Sequence, residues 1–335
     1  MKAPDGVETK PAKCRVCGSP RVELVGCVEY YVGFEWGIWD CAHCGCRFTR
    51  HDATVYDRLH SEASSCYVRY RDLAAQCKAR FDRGDLEGLR GELSLTSKYR
   101  FVIEEVSRGN RDARLLEIGC ARGFLTSYFI LGGWRVTGVD VSTEAVNAAN
   151  TAFGHHFVLA GSPEVAAGAP YDMIYHVGTI GCVADPVGMT RNLLGMLKPG
   201  GTLLFNAPNR EACWASNQLW FDTAPPPDLV TLFPPGFWRR WFADVADVAE
   251  GIEMCETERS LAVALRRLCR RRWRKPHPLP LSESSITSAP RPNFGNAAWF
   301  VIERSLTRVS RALRLSRFAP EHPKEYGFLV RMSRV

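Results

Sequence analysis

One stretch, residues 114–124, constrains the fold of this chain more than any other. It reads Arg-Leu-Leu-Glu-Ile-Gly-Cys-Ala-Arg-Gly-Phe, so an apolar run gives way to small residues at alternating positions and then to a helical pattern. This order predicts a strand, a tight turn and a helix. Gly119, Ala121 and Gly123 leave room for a ligand to approach the backbone closely, and the amides that open the helix carry positive partial charge. We therefore predict a cofactor site at this turn.

The residues at the turn disfavour a nicotinamide dinucleotide. The fingerprint G-x-G-x-x-G would require glycine at positions 121 and 124, where this chain has Ala121 and Phe124, and it would not require an acid at position 117. The stretch from Glu117 to Gly123 resembles instead the first motif of class I S-adenosylmethionine (SAM) methyltransferases, E-x-G-x-G-x-G. Its one departure is Ala121 at the middle glycine.

Further stretches downstream extend this resemblance. Residues 134–140 predict a second strand that ends in Asp140, about 20 residues past the turn, where a nucleotide-binding fold places a carboxylate against the ribose hydroxyls. Residues 157–160 and 171–177 predict a third and a fourth strand. Residues 197–201 read Leu-Lys-Pro-Gly-Gly, which methyltransferases of this class typically carry before their fifth strand.

Strand and helix units in this order predict an α/β fold. The expected architecture is a doubly wound, mostly parallel seven-stranded sheet of the Rossmann-like methyltransferase type, preceded by a small N-terminal zinc ribbon. The resemblance implies that SAM is the cofactor. The residues it implies for cofactor binding are Glu117, Gly119, Cys120, Ala121, Gly123, Asp140, Val141, Ser162 and Val177. At position 162 the family commonly has an aspartate near the adenine amino group, where this chain has serine.

Two matching cysteine pairs near the N-terminus indicate a metal site. Residues 14–18 read Cys-Arg-Val-Cys-Gly, and residues 41–45 read Cys-Ala-His-Cys-Gly. A C-x-x-C turn closed by glycine directs two sulfurs at one metal, and two such turns supply the tetrahedron that zinc prefers. We predict one structural zinc ion, and a β-hairpin with strands at 22–25 and 30–32 in the spacer. The predicted ligands are Cys14, Cys17, Cys41 and Cys44.

Length and composition fit one main domain with additions. The chain has 335 residues, of which 46% are hydrophobic, and this supplies a sizeable core. No apolar run is long enough to span a membrane and no signal peptide is evident, so we expect a cytoplasmic protein. The predicted parts are a zinc ribbon at 1–51, a helical linker or lid at 52–109, the SAM-binding domain at 110–255 and 320–335, and a basic helical insertion at 256–319.

The positive charge of the chain is concentrated in the insertion. Residues 259–275 predict a basic amphipathic helix, for which a solvated face, a contact with an acidic partner or membrane surface, and a nucleic-acid patch are open interpretations. The formal net charge of +7 permits an anionic partner without requiring nucleic acid. Apart from His43, the ribbon between its inner cysteines has Arg21 as its only basic residue, so we expect no nucleic-acid partner.

These features predict methyl transfer from SAM to a small-molecule or carrier-linked acceptor, such as a sugar, a nucleotide-sugar or a secondary metabolite. The ribbon and residues 206–209 and 226–233 narrow the resemblance to bacterial zinc-ribbon methyltransferases that modify such metabolites. Two alternatives stay open. One is an RNA base methyltransferase that holds RNA with its ribbon and basic helix, and the other is an inactive domain whose ribbon binds proteins.

The sequence assigns no catalytic residue. Many relatives carry a glutamate and then Glu-His after the fourth strand, where this chain has Gly178 and Gly181-Cys182. His176, at the end of that strand, is the best-placed candidate for a general base. The favoured interpretation is nevertheless a packed or hydrogen-bonded histidine beside the cofactor.

Overall fold

The described residues form two compact units. The computed structural model describes residues 11–29, 35–54, 56, 68–215, 219–221, 224, 226–253 and 327–335. One unit holds the N-terminal residues together with Asn209–Leu232, and the other holds Val68–Pro208, Phe233–Glu253 and Phe328–Val335. The predicted insertion at 256–319, including its basic helix, and residues 57–67 of the predicted lid lie outside the described residues.

The first unit is built on a four-stranded sheet. Its strands are β1 (Val22–Glu29), β2 (Glu35–Cys41), β3 (Arg47–Phe48) and β9 (Thr231–Leu232), in the order β1-β2-β3-β9. β1 and β2 form the antiparallel hairpin expected in the spacer, with an irregularity between Leu24 and Gly26. The second strand of this hairpin begins at Glu35, later than predicted, and the predicted stretch at 30–32 lies outside the described residues.

The second unit contains the predicted seven-stranded sheet, and this prediction is confirmed. The strand order is β10-β11-β8-β7-β4-β5-β6, and the four strand pairs from β8 to β6 are parallel. The chain runs outward from β4 through β5 to β6 and then returns to β7 on the other side of β4. This reversal is a topological switch point, where ligands bind outside the carboxyl ends of the strands. The strands are β4 (Arg114–Ile118), β5 (Arg135–Asp140), β6 (Phe157–Leu159), β7 (Tyr171–His176), β8 (Leu197–Pro208), β10 (Ala246–Glu253) and β11 (Gly327–Arg334).

Helices connect these strands and carry side-chain caps where the sequence offers them. Ser142 accepts a hydrogen bond from the Ala145 amide at 3.2 Å, and Asp185 accepts one from the Gly188 amide at 2.8 Å. Such caps satisfy amides that have no partner within the helix. The helices are α1 (Val68–Phe81), α2 (Leu86–Leu93), α3 (Ser97–Ser107), α4 (Phe124–Leu131), α5 (Thr143–Phe153), α6 (Pro163–Ala167), α7 (Pro186–Gly195), α8 (Arg210–Ala215) and α9 (Phe237–Phe242).

One face of the large sheet packs against helices in a continuous apolar core. Leu115 of β4 and Tyr175 of β7 belong to the same buried cluster as Phe129 of α4 and Val102 of α3. Successive side chains of a strand point to opposite faces. Leu116 of β4 therefore faces away from this cluster, while Glu117 faces into it.

The Leu-Lys-Pro-Gly-Gly segment lies inside β8 rather than before it. Tyr171 pairs with Leu197 and Met173 pairs with Thr202, so the register shifts by several residues at this point. Gly200, at φ 73°, adopts the left-handed conformation that this irregular backbone requires. The segment thus forms a bulge at the amino end of the strand.

Candidate active site

The turn after β4 has the left-handed backbone that its small residues predict. Gly119 and Gly123 have φ of 73° and 75°, and Ala121 has φ of 48°. Ala121 has the only positive φ of a residue other than glycine within the described part of the chain. Gly123 is the N-cap of α4, so the helix begins directly at the turn. This places the free amides of the helix at the carboxyl edge of the sheet.

Two of these glycines leave space for neighbouring side chains of the same unit. A Cβ atom on Gly123 would lie 2.5 Å from the Phe157 ring, and one on Gly119 would lie 2.4 Å from Oγ1 of Thr179. Gly138 of β5 also approaches Phe157, at 2.6 Å from its Cβ position. Glycine at 119 and 123 is therefore required for packing within the unit as well as for the turn.

Asp140, at the end of β5, is hydrogen-bonded to this turn. One oxygen of its carboxylate accepts a hydrogen bond from the Ala121 amide at 2.8 Å, and the other accepts one from the Ser142 amide at 2.9 Å. Each carboxylate oxygen has capacity for a second donor. Asp140 therefore holds the loop in place and can still accept hydrogen bonds from the hydroxyls of a ligand at this edge.

Glu117 lies beneath the turn and has only 3% of its surface exposed. Its carboxyl group accepts hydrogen bonds from the hydroxyl of Thr126 and, at 3.3 Å, from that of Tyr175. Burial raises the pKa of Glu117 from 4.5 to about 8, and the two hydroxyls act in the opposite direction. The side chain is therefore mostly neutral at pH 7.

The other residues predicted for the cofactor lie around the same edge. Val141, which follows Asp140, is 76% exposed although it is apolar, whereas Cys120 is buried. Ser162 is the N-cap residue of α6, and its hydroxyl donates to Glu164. Val177 is half-buried and follows directly on β7. An exposed apolar side chain next to Asp140 is suited to pack against the flat face of a ligand at this edge.

His176 is fully buried at the carboxyl end of β7. Its ring stacks on Phe205 of β8 with centroids 4.7 Å apart, and neither ring nitrogen has a hydrogen-bond partner among the described residues. Burial lowers the pKa of His176 from 6.5 to about 3. The ring is therefore neutral at pH 7, and its observed role is packing.

Side chains that the sequence did not predict for the cofactor site complete this edge. Asn206 accepts a hydrogen bond from the Gly178 amide at 2.7 Å, and Thr179 donates to the carbonyl of Ile118 at 3.3 Å. The ammonium nitrogen of Lys98 lies 3.4 Å from the position that a Cβ on Gly178 would take. Asn206 stands in the stretch noted as family-like, but nothing in the sequence indicates the approach of Lys98, which comes from a helix some 80 residues earlier.

The four predicted zinc ligands come together in the first unit. Their sulfur atoms lie within 4.8 Å of one another, with 3.7 Å between Cys14 and Cys44 and 3.6 Å between Cys17 and Cys41. A tetrahedron with Zn–S bonds of about 2.3 Å has edges of about 3.8 Å. The geometry therefore fits a tetrahedral zinc ion.

The two cysteine turns have the same backbone. The Gly18 amide donates to the Cys14 carbonyl at 2.8 Å, and the Gly45 amide donates to the Cys41 carbonyl at 2.9 Å. Both glycines have φ above 70°. Burial raises the pKa of Cys17 to about 11, so a thiolate there requires a compensating cation.

A separate cavity of about 260 Å³ lies at the opposite edge of the large sheet. Its lining includes Leu115, Asp172 and Gly201, which lie at the amino ends of their strands. Ligands of doubly wound sheets bind at the carboxyl ends, where Asp140 and the glycine turn are. The predicted cofactor site therefore lies at that edge, away from this cavity.

No helix among the described residues is both long and apolar enough to cross a membrane.

Comparison with known proteins identifies similarity in the part of the chain that contains this turn and Asp140. The sequence model of a family described as a methyltransferase domain matches residues 92–246. The chain is similar to the ubiquinone biosynthesis O-methyltransferase of Parvibaculum lavamentivorans, with 31% identity over 121 residues that cover 34% of this chain and 48% of the relative. The corresponding protein of Proteus mirabilis is 28% identical over 149 residues, which cover 41% and 57%. The chain thus spans about half the length of these curated relatives.

Among solved structures, the chain is similar to YjhP from E. coli. The identity is 19% and the TM-score is 0.38, with coverage of 71% of this chain and 91% of that one. It is also similar to the plantazolicin methyltransferase BpumL, with 14% identity, a TM-score of 0.38, and coverage of 84% and 95%.

Proposed function

We propose that this protein, whose residues 92–246 match a methyltransferase-domain model, transfers the methyl group of SAM to a small-molecule or carrier-linked acceptor. The observation that carries the proposal is the junction of β4, α4 and β5. There the Asp140 carboxylate and a turn of left-handed residues meet at the switch point of the sheet. The curated relatives are named for ubiquinone biosynthesis and O-methylation. This supports a small acceptor, and a sugar, a nucleotide-sugar or a secondary metabolite remains our proposal for its class.

The residues of the edge fit SAM in distinct ways. Asp140 would accept hydrogen bonds from the ribose hydroxyls, and the exposed Val141 would cover one face of the adenine. The backbone of the turn would lie along the methionine part. Ser162 has its hydroxyl engaged with Glu164, so its contribution to adenine binding requires that hydroxyl to turn or to accept.

The chain's catalytic contribution in this proposal is mainly positioning. When bound, SAM supplies a methyl group on a positively charged sulfur, and the transfer is an in-line displacement that depends on the alignment of the acceptor. The turn, fixed by Asp140, holds one reactant, and the buried side chains beneath it exclude water. The Lys98 ammonium and the Asn206 amide both lie close to Gly178, just beyond the carboxyl end of β7, and in this proposal they would orient an acceptor. We assign no general base.

The experiment compares two aspartates that bond to backbone amides at opposite edges of the sheet. Asp140→Ala is expected to weaken SAM binding by about 1 to 3 kcal/mol, because hydrogen bonds to the ribose and the order of the turn are lost together. Asp172 accepts the Arg114 amide at 2.7 Å but lies at the amino edge, so Asp172→Ala is the matched control and should leave SAM affinity unchanged. Titration calorimetry gives both dissociation constants. Equal weakening by the two variants, or tight NAD binding without SAM binding, would overturn the proposal.

A further inference from the structure

The segment Asn209–Leu232 folds with the cysteine ribbon although it follows β8 in the chain. β9, at its end, pairs antiparallel with β3, with Arg47 opposite Leu232 and Phe48 opposite Thr231. The Thr49 amide donates to the Val230 carbonyl at 3.0 Å. The sheet of the ribbon is therefore completed by a strand that lies some 180 residues further along the chain.

The segment also supplies most of an apolar cluster in this unit. Ile38 of β2 is fully buried, and the other fully or nearly fully buried members of its cluster come from the segment. A hairpin of this size cannot bury enough apolar surface by itself. The members from the segment are Ala212, Cys213, Trp220, Phe221, Leu229 and Leu232.

A buried charge network joins the segment to the cysteine turns. Asp40 accepts hydrogen bonds from Nε and Nη2 of Arg47 at 2.8 and 3.0 Å, and from Nη2 of Arg210 at 2.7 Å. Arg210 also donates to the carbonyl of Gly45, which follows the ligand Cys44. The side chains of Arg47, Arg210 and Asp40 are only 6%, 12% and 18% exposed.

Two guanidinium groups, those of Arg47 and Arg210, bind the Asp40 carboxylate close to the second cysteine turn. Four cysteine thiolates around one Zn²⁺ carry a formal charge of −2. The guanidinium group of Arg210 therefore lies next to a centre that is negative when it holds its metal, and each charge lowers the cost of burying the other.

We propose that Arg210 is a positioning residue for the metal centre, through which zinc binding and the folding of Asn209–Leu232 stabilise each other. Arg210 fixes the second cysteine turn through the Gly45 carbonyl and anchors the segment through Asp40. The inference rests on the proposed zinc site. It extends the role of the metal beyond the ribbon, because loss of zinc releases a segment that begins where β8 ends.

The first experiment measures zinc affinity in the full-length protein by competition with a chromogenic zinc chelator. Arg210→Met is expected to weaken zinc retention by about 10- to 100-fold, as loss of an outer-shell partner typically does. Arg210→Lys should give a smaller loss. The lysine ammonium keeps the charge, but it lacks the planar guanidinium group that donates to the Gly45 carbonyl and the Asp40 carboxylate at the same time. Arg21, an exposed arginine of the same ribbon, provides the matched control. Arg21→Met should bind zinc as the wild type does.

The second experiment uses wild-type protein only, and so does not depend on how the variants fold. Hydrogen exchange is compared before and after zinc is removed with a chelator. Amides in 219–221 and 228–232 should lose protection together with those in 14–29 and 35–48, while those of β4 and β5 keep theirs. Unchanged protection of 219–221 and 228–232, or equal zinc affinity of Arg210→Met and wild type, would overturn the inference. Absence of zinc from the purified wild type would instead refute the zinc site itself.

Discussion

Replacement of the buried carboxyl group by an amide, Glu117→Gln, is expected to stabilise the second unit in a pH-dependent manner. The folded protein holds Glu117 at a pKa of about 8, whereas the ordinary value is 4.5. Between these values the folded state binds the proton more strongly than the unfolded state. The stabilising contribution of the group is therefore complete below pH 4.5 and is lost as the pH rises toward 8.

The size of this effect follows from the pKa difference. At pH 7 ionisation of the Glu117 carboxyl group stabilises the unfolded state by about 3 kcal/mol, which is about 1.4 kcal/mol for each pH unit above 4.5. The folded state has almost none of this stabilisation, because its pKa is about 8. At pH 5 the corresponding gain is below about 1 kcal/mol. Glutamine has nearly the same shape and can accept the hydrogen bonds of Thr126 and Tyr175, but it does not ionise. We expect Glu117→Gln to raise the stability by about 1 to 3 kcal/mol at pH 7 and by much less at pH 5.

Denaturant unfolding at the two pH values measures this difference. The matched control is Glu92→Gln, because Glu92 is also buried in this unit but lies 4.0 Å from a guanidinium nitrogen of Arg80. Loss of the charge there should destabilise the protein at pH 7, opposite in sign to Glu117→Gln. If Glu117→Gln destabilised the protein at pH 7, or had the same effect at both pH values, the neutral buried carboxyl group would be refuted.

Three further predictions concern the zinc ion, His176 and the response of methylation to salt. Metal analysis should find about one zinc per chain, and a metal-free protein with four reactive thiols and unchanged structure would contradict this. In the folded protein the pKa of His176 is about 3, below its ordinary value of 6.5, so the wild type loses stability as the pH falls below 6.5. His176→Phe removes this loss and should therefore stabilise the protein by about 2 kcal/mol more at pH 5 than at pH 7.5. Denaturant unfolding at both pH values measures the difference. Methylation of the acceptor should vary little with salt, whereas RNA bound at submicromolar strength with a loss of roughly a thousandfold between low and moderate salt would favour the RNA alternative.

The sequence predicted the elements whose patterns are local. The glycine turn, the acid at the end of β5 and the paired cysteine turns each occupy a few consecutive residues, and their backbone requirements are visible in the residue types. A doubly wound, mostly parallel sheet follows from these because parallel strands joined by helices have few ways to pack.

The contacts that could not be predicted join residues far apart in sequence. The pairing of β3 with β9 depends on two strands of two residues each, which are too short to show a periodic pattern. The bonds from Arg210 to Asp40 and Gly45 likewise cross more than 160 residues. An arginine in a sequence gives no sign of which distant carboxylate it will meet.

Gly123 shows how the sequence can indicate one reason for a glycine where the structure provides a second one. The sequence assigned it to close approach of a ligand, and the structure adds the Phe157 ring at 2.5 Å from its Cβ position and a φ of 75°. Gly123→Val should therefore destabilise the apo protein, since a branched side chain is strained at this φ and overlaps Phe157. In Gly123→Ala/Phe157→Leu the smaller partner removes most of the overlap but leaves the backbone strain. We expect thermal unfolding without SAM to show a large loss for Gly123→Val and a smaller one for the double variant. If Gly123→Val were as stable as the wild type without SAM, and only its SAM binding were weaker, the packing role of Gly123 would be refuted.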